Sequence, residues 1–458
     1  METMQGNPLG YEKVSSLIWK YSIPAIVSML VSAIYNIVDQ VFIGQGIGML
    51  GNAATNIAFP ITTLCAAIAL WLGVGGTAHY SIKCGEGREK LARLYMGTAL
   101  TMSVICGVII MAVLLLFLDP WLTIFGATQE IFPYAHDYTQ ILAIGVPFII
   151  FTTVGSHMVR ADRSPGYSMA CLLSGTLLNV VLDPIFIFGL HWGMKGAAWA
   201  TVFGQMLSAL MALYYFPKMS KVQLKPFELK PDLKKAAQCV GLGAAPGINQ
   251  FSISIVQIVM NNTLAMYGAA SIYGSDIPIA CAGVIAKVSL IFTSICLGIN
   301  QGIQPLLGFN YGAKKYDRVR EAYFRTIWLA VIVGIIFFVA FQLFPLQIVS
   351  IFGGGDEVYM QFAKRYFRIF LMLTAINGIE PLTAGFFSAI GKTWKSILIS
   401  FCRQLITLLP LIVILPHFFG IDGVLYAGPI ADAICFVVAI ILIYREMKWF
   451  QKALEKNE

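Results

Sequence analysis

Residues 23–44 read IPAIVSMLVSAIYNIVDQVFIG. Only Asp39 is charged in that stretch. About 20 apolar residues, rising about 1.5 Å each as an α-helix, span the hydrocarbon core of a bilayer. A carboxylate there costs several kcal/mol unless it is protonated, paired or wetted. The stretch therefore reads as a membrane span that carries an acid for a functional reason.

The whole chain follows this pattern. Hydrophobic residues make up 58% and charged residues 12%; a soluble domain carries about twice that charge. Mean hydropathy is +0.77. Apolar runs lie near 15–43, 56–81, 94–118, 137–159, 167–189, 196–216, 238–266, 279–309, 323–345, 363–390, 395–415 and 420–444, which gives twelve spans. No small-residue cleavage site follows a short apolar core at the start, so no cleaved signal is expected. The nine cysteines are scattered, without a CxxC pair, and read as small buried hydrophobes.

With the N-terminus inside, 25 of the 31 basic residues fall in inner segments. Lys83, Arg88, Lys90 and Arg93 follow the second span, and six lysines from Lys218 to Lys235 follow the sixth; Lys456 belongs to the inner tail. Basic residues accumulate on the cytoplasmic side, so both termini are expected in the cytoplasm of a plasma-membrane protein. The formal charge of +8 is then a consequence of topology, and no nucleic-acid partner is expected. The expected division is a six-helix lobe over 1–217, a cytoplasmic linker over 218–236, a second lobe over 237–446 and a tail over 447–458.

The halves repeat. WGMKGAAWAT at 192–201 resembles FGIDGVLYAG at 419–428, an offset of 227; Gly85 and Gly312 share it. Pro24 answers Pro246 at an offset of 222. Six spans per half keep both repeats in one orientation, related by an axis along the membrane normal, as is common in transporters with a site between the halves. The fold class is thus an all-α integral membrane protein of twelve transmembrane helices in two pseudo-symmetric lobes. Ser28, Ser32, Tyr35 and Asp39 form one helical face on the first span, and Gln250, Ser254, Gln257 and Asn261 match them on the seventh. Both stripes start near a kinking proline, Pro24 or Pro246. Where the first half has Asp39, the second has Asn261.

Depth points to companions for Asp39. LLNVVLDPIF on the fifth span puts Asn179 and Asp183 one turn apart, and Thr201 lies about five residues into the sixth span. All belong to the outer half of the first lobe. Pro184 frees a backbone carbonyl near Val180. Two carboxylates, an amide and a hydroxyl suit a proton or a sodium ion, because two close acids do not both stay charged without a cation. Glu380 and Lys287 face a second cavity or pair with each other, or Lys287 snorkels outward. Asp432 and His157 read as structural, whereas Asn300, Gln301 and Gln304 line the eighth span or join helices. GxxxG at 298–302 assigns no oligomer by itself.

Several chemistries are missing. GFFSAIGKT at 385–393 has five residues between its glycines and ends a membrane span, so it is not a phosphate loop. No HExxH, GxSxG or metal-spaced His/Cys cluster occurs. The chain is therefore expected to be neither an enzyme nor ATP-driven, and to use no cofactor and no metal beyond a coupling Na⁺.

Taken together, IYNIVDQVFIG in the first span, NxxxDP in the fifth and GxxGAAxAT entering the sixth resemble the MATE (multidrug and toxic compound extrusion) transporters, bacterial type. PLLGFNYGAKKYDRV and FFSAIGK are similar to segments after the eighth and tenth spans of that family. The resemblance covers essentially the whole chain. It implies a V-shaped pair of lobes around a central cavity, working as a monomer. It also implies export of lipophilic, often cationic drugs in exchange for H⁺ or Na⁺, with the coupling ion at Asp39, Asn179, Asp183 and Thr201. Tyr35, Asn36, Gln250, Ser254, Gln257, Asn261 and Glu380 are expected on the substrate cavity, with Pro24 and Pro184 as hinges. Some members carry an acid in the seventh span; here only Gln, Ser and Asn stand there, and Glu380 is the nearest substitute. The alternative, a flippase of lipid-linked saccharides, would need a basic cavity, to which the spans contribute only Lys287 and Arg403. A receptor or intramembrane enzyme would not need the duplicated core.

Overall fold

The computed structural model describes residues 7–125, 127–221, 224–274, 276–351 and 357–455. Lys456, the first six residues of the first lobe and the end of the tail lie outside them. Among the described residues there is no strand. In hydrocarbon each backbone group must find its partner within the segment, and helices satisfy this.

Eleven helices are single spans: α1 (Val14–Gly46), α2 (Met49–Gly85), α3 (Glu89–Leu116), α4 (Phe132–Ala161), α5 (Pro165–Gly189), α6 (Gly193–Lys218), α7 (Leu233–Ala269), α8 (Asp276–Gly312), α9 (Tyr316–Leu343), α11 (Thr393–Phe419) and α12 (Ile421–Glu455). The tenth, α10, is broken: Glu357–Phe370 and Thr374–Ala389 meet at 48°. The sequence suggests one straight run over 363–390. Just past the break, Gly334 of α9 lets the backbone of Ala375 approach so closely that a Cβ would lie 2.6 Å from its carbonyl oxygen. Two short helices, Leu118–Ile124 and Pro345–Ile351, follow α3 and α9 at the 227 offset and are not legible in the hydropathy.

The packing repeats with the sequence. In the first lobe α4 lies against α2, α3, α5 and α6, α5 against α6, and α1 against α5. In the second, α10 lies against α8, α9, α11 and α12, α11 against α12, and α7 against α11. Between lobes, α1 pairs with α8, α7 with α2, and α2 with α8 across the pseudo-axis. The closest of these approaches lie toward the termini. A Cβ on Gly75 would fall 1.8 Å from the carbonyl of Cys239, and one on Gly243 2.1 Å from that of Trp71. A Cβ on Gly298 would lie 2.5 Å from the Cα of Ile26, and one on Gly302 2.6 Å from that of Ser22. The GxxxG at 298–302 thus serves a contact within the chain.

Two parts of the chain cross the expected division. Leu9, Leu17 and Tyr21 pack with Leu307, Phe309 and Phe450 of the second lobe. The linker docks on α3: Arg93 Nε meets Glu228 Oε1 at 2.7 Å, and Thr101 Oγ1 donates to the carbonyl of Leu229 at 2.7 Å. Asp232 then caps α7 by accepting from the Lys234 and Lys235 amides, so that helix begins before residue 237.

Candidate transport cavity and ion site

A cavity of about 760 Å³ lies between the lobes, lined by both. Met29, Ser32, Tyr35 and Asn36 come from α1; Asn249, Gln250, Ile253 and Gln257 come from α7. At its floor Arg160, 2% exposed, donates to Gln301 Oε1 across the lobes at 3.0 Å. His157 lines the same floor and is accommodated by Gly73, whose Cβ would stand 3.0 Å from the ring. Beyond the floor, toward the termini, α2 and α8 cross and shut the cavity.

The expected stripe on α1 divides. Ser32 and Tyr35 face the cavity, but Ser28 turns into the lobe and donates to the Pro24 carbonyl at 2.8 Å. Asp39 lies behind the wall, 8% exposed, with Asp183 of α5 at 0% and Asn179 at 2%. The carboxyl groups of Asp39 and Asp183 are within hydrogen-bonding reach of each other. Oδ1 of Asp39, both carboxyl oxygens of Asp183 and Oδ1 of Asn179 are buried, and no donor among the described residues reaches them. Four such oxygens from two helices fit a proton or a bare cation, since buried acceptors are otherwise satisfied.

Thr201 has another part. Its hydroxyl donates to the Ala197 carbonyl at 3.1 Å and accepts from Asn179 Nδ2 at 3.2 Å, and Tyr35 lies beside it on the cavity wall. It therefore orients Asn179 at that wall. Tyr138 of α4 is close to both acids; the sequence carried no periodic signal for it. Pro184 ends the α-helical part of α5, and a wider π turn, Ile185–Gly189, follows.

In the second lobe Gln250, Gln257 and Glu380 line the cavity. Ser254 and Asn261 are not part of the lining: the Ser254 hydroxyl turns back to the Gln250 carbonyl at 3.5 Å, and Asn261 Oδ1 accepts from Gln257 Nε2 at 3.0 Å. Glu380 does not meet Lys287, which is exposed and lies outside the lining. Its neighbours are Arg403 and Asp432. A π segment, Cys402–Leu408, shifts the register of α11 at Arg403 and Gln404, which hydropathy does not reveal. Asn300 joins helices, donating to the Pro381 carbonyl at 3.1 Å, and lines the cavity together with Gln301 and Gln304.

Twelve helices in two equivalent lobes, with a shared cavity and an acid pair set behind its wall, are the architecture of a membrane transporter. The MatE family model matches residues 24–185 and 247–414, and the chain belongs to that family. It is 26% identical over 449 residues to the multidrug export protein MepA of Staphylococcus haemolyticus strain JCSC1435, covering 96% of each chain. It is 24% identical over 425 residues to MepA of Staphylococcus aureus strain N315, covering 93% of this chain and 92% of that one. Among solved structures, an outward-facing multidrug resistance MATE transporter matches with a TM-score of 0.89 at 23% identity over 98% of each chain. A MOP superfamily transporter from Pyrococcus furiosus, described as having a binding pocket of reverse polarity that suggests a different function, matches equally in fold.

Proposed function

We propose that this chain is a secondary multidrug exporter of the plasma membrane, driven by H⁺ or Na⁺ entering at Asp39 and Asp183. The observation that carries the coupling is the buried acid pair, with four acceptor oxygens lacking donors, next to the wall of a cavity shared by both lobes. The basic residues assign the termini to the cytoplasm, so the lobes are shut inside and the cavity opens outward. An ion arriving from outside neutralises the pair. Asn179, Thr201 and Tyr35 pass the change to the wall, and α1 bends at Pro24, where the missing N–H leaves the Lys20 carbonyl without its helical donor. Pro184 gives α5 the matching freedom beside Asp183.

The substrate leaves outward; the loaded lobes rock inward, release the ion and bind the next substrate. Coupling requires that ion and substrate each bind the two states with different affinity. The substrates are lipophilic, often cationic small molecules, as the names of the export relatives suggest. No cofactor is needed besides the ion. The single chain is the working unit, consistent with its GxxxG being used within the chain. The flippase alternative loses support, because Arg403 is paired, Lys287 lies off the cavity, and Arg160 at the floor is held by Gln301.

The test is reconstitution in liposomes with separately imposed pH and Na⁺ gradients, following efflux of a fluorescent lipophilic cation. One gradient should drive efflux in the wild type and neither in Asp39→Asn at equal incorporation. Unchanged efflux in Asp39→Asn would overturn the coupling assignment.

A further inference from the structure

The second lobe lacks an acid at the position of Asp39, yet it contributes the most highly charged part of the cavity lining. Three helices each supply one ionisable side chain: Glu380 from α10, Arg403 from α11 and Asp432 from α12. Arg403 Nε donates to Asp432 Oδ1 at 2.8 Å, and the Asp432 side chain is 5% exposed. Glu380 lies in the field of both but makes no ion pair or hydrogen bond among the described residues. Asp432 satisfies Arg403, and Glu380 remains as the surplus negative charge on this wall. The other cationic side chain of the lining, Arg160, belongs to the floor, where it holds Gln301.

The second-lobe side of the cavity carries aromatic and apolar side chains, Met260, Phe292, Phe341, Tyr366 and Phe370, among polar ones such as Asn377 and Gln404. One unpaired carboxylate among rings suits a lipophilic organic cation, which gains from the charge and from the ring faces together. A neutral molecule of the same shape gains only from the rings. Among the described residues, Arg403 is the cation whose charge acts on that carboxylate.

We propose that Glu380 is the residue by which the cavity selects cations, and that Arg403 is a tethered competitor for it. With a cationic substrate on Glu380, Arg403 rests wholly on Asp432. Without one, Arg403 stands in the field of both carboxylates, and the three side chains together carry one net negative charge. Asp432 sets the affinity, because it draws Arg403 away from Glu380. This deepens the export reading and rests on it for the identity of the cavity.

The experiment measures equilibrium binding to purified protein of tetraphenylphosphonium and of neutral triphenylphosphine oxide, in the wild type and three variants. Glu380→Gln should weaken tetraphenylphosphonium at least tenfold and leave the neutral probe within twofold, which also reports that the cavity is folded. Asp432→Asn should weaken the cation similarly, because Arg403 then falls to Glu380. Removing the competitor as well, in Arg403→Gln with Asp432→Asn, should restore cation binding to wild-type strength or better. The proposal is overturned if Glu380→Gln changes both probes alike or neither, or if the double variant binds the cation no better than Asp432→Asn. Failure of the wild type to transport either probe in liposomes, with these binding differences intact, would count against export and not against the role of Glu380.

Discussion

Gly85 and Gly312 meet where α2 crosses α8, each against the backbone of the other helix. A Cβ on Gly85 would lie 2.0 Å from the Phe309 carbonyl oxygen, and one on Gly312 2.1 Å from that of Ile82. Residues 82 and 309 are separated by the same offset as 85 and 312, so the contact is its own image under the pseudo-two-fold axis. Only glycine lets both backbones come this near. The crossing closes the terminal side of the cavity, and its geometry belongs to the closed state.

Gly312→Val should therefore force the lobes apart at this end. Backbone cannot yield as a flexible side chain does. Cys239, fully buried against Gly75 at the lobe interface, is the reporter. In a chain retaining Cys239 as its single cysteine, maleimide labelling should rise at least tenfold in Gly312→Val, a shift of about 1.4 kcal/mol against the closed state. Unchanged labelling would place the closure elsewhere.

Thr201 and Asp39 should differ in kind. Thr201→Val keeps the shape but removes the bond that holds Asn179. A lost hydrogen bond of this sort is worth about 1–1.5 kcal/mol, so the half-saturating coupling-ion concentration should rise roughly tenfold. The maximal export rate at saturating ion should be little changed. Asp39→Asn removes a carboxylate of the proposed ion site, and no ion concentration should rescue it.

Asp162, between α4 and α5, should matter for stability more than for transport. It is fully buried and accepts from Tyr80 of α2 at 3.0 Å, Tyr215 of α6 at 2.9 Å, and Ser220 Oγ and the Lys221 amide at 2.7 Å each. Asp162→Ala leaves these donors without their acceptor, at a cost of about 3 kcal/mol. Thermal unfolding in detergent should fall by roughly 5–10 °C, and Asp162→Asn, which keeps one acceptor oxygen, should fall less. The second lobe ties the same end differently: Glu446 of α12 receives Lys395 at 2.6 Å and also Lys392, both near the start of α11. The lobes share a fold and not its chemistry.

The sequence by itself determined the membrane class, the repeat and the grouping of Asp39 with Asn179, Asp183 and Thr201. These follow from quantities that are local or periodic: apolar run length against bilayer thickness, the offset of 227, and depth counted along helices of constant rise. The tertiary structure decided which way each side chain faces once helices bend and change register. Ser28 and Asp39 leave the cavity although they share a face with Ser32 and Tyr35, because the helices packed around α1 differ along its length. Arg403 joins Glu380 and Asp432, in place of Lys287, where a π segment interrupts α11, and hydropathy does not register a turn that gains one residue. Thr201 is a positioning group because of its two hydrogen bonds, to Asn179 and to the Ala197 carbonyl. Bonds between helices far apart in the chain leave no period in the sequence, and such bonds are what divide this protein into an ion site, a cavity wall and a closed floor.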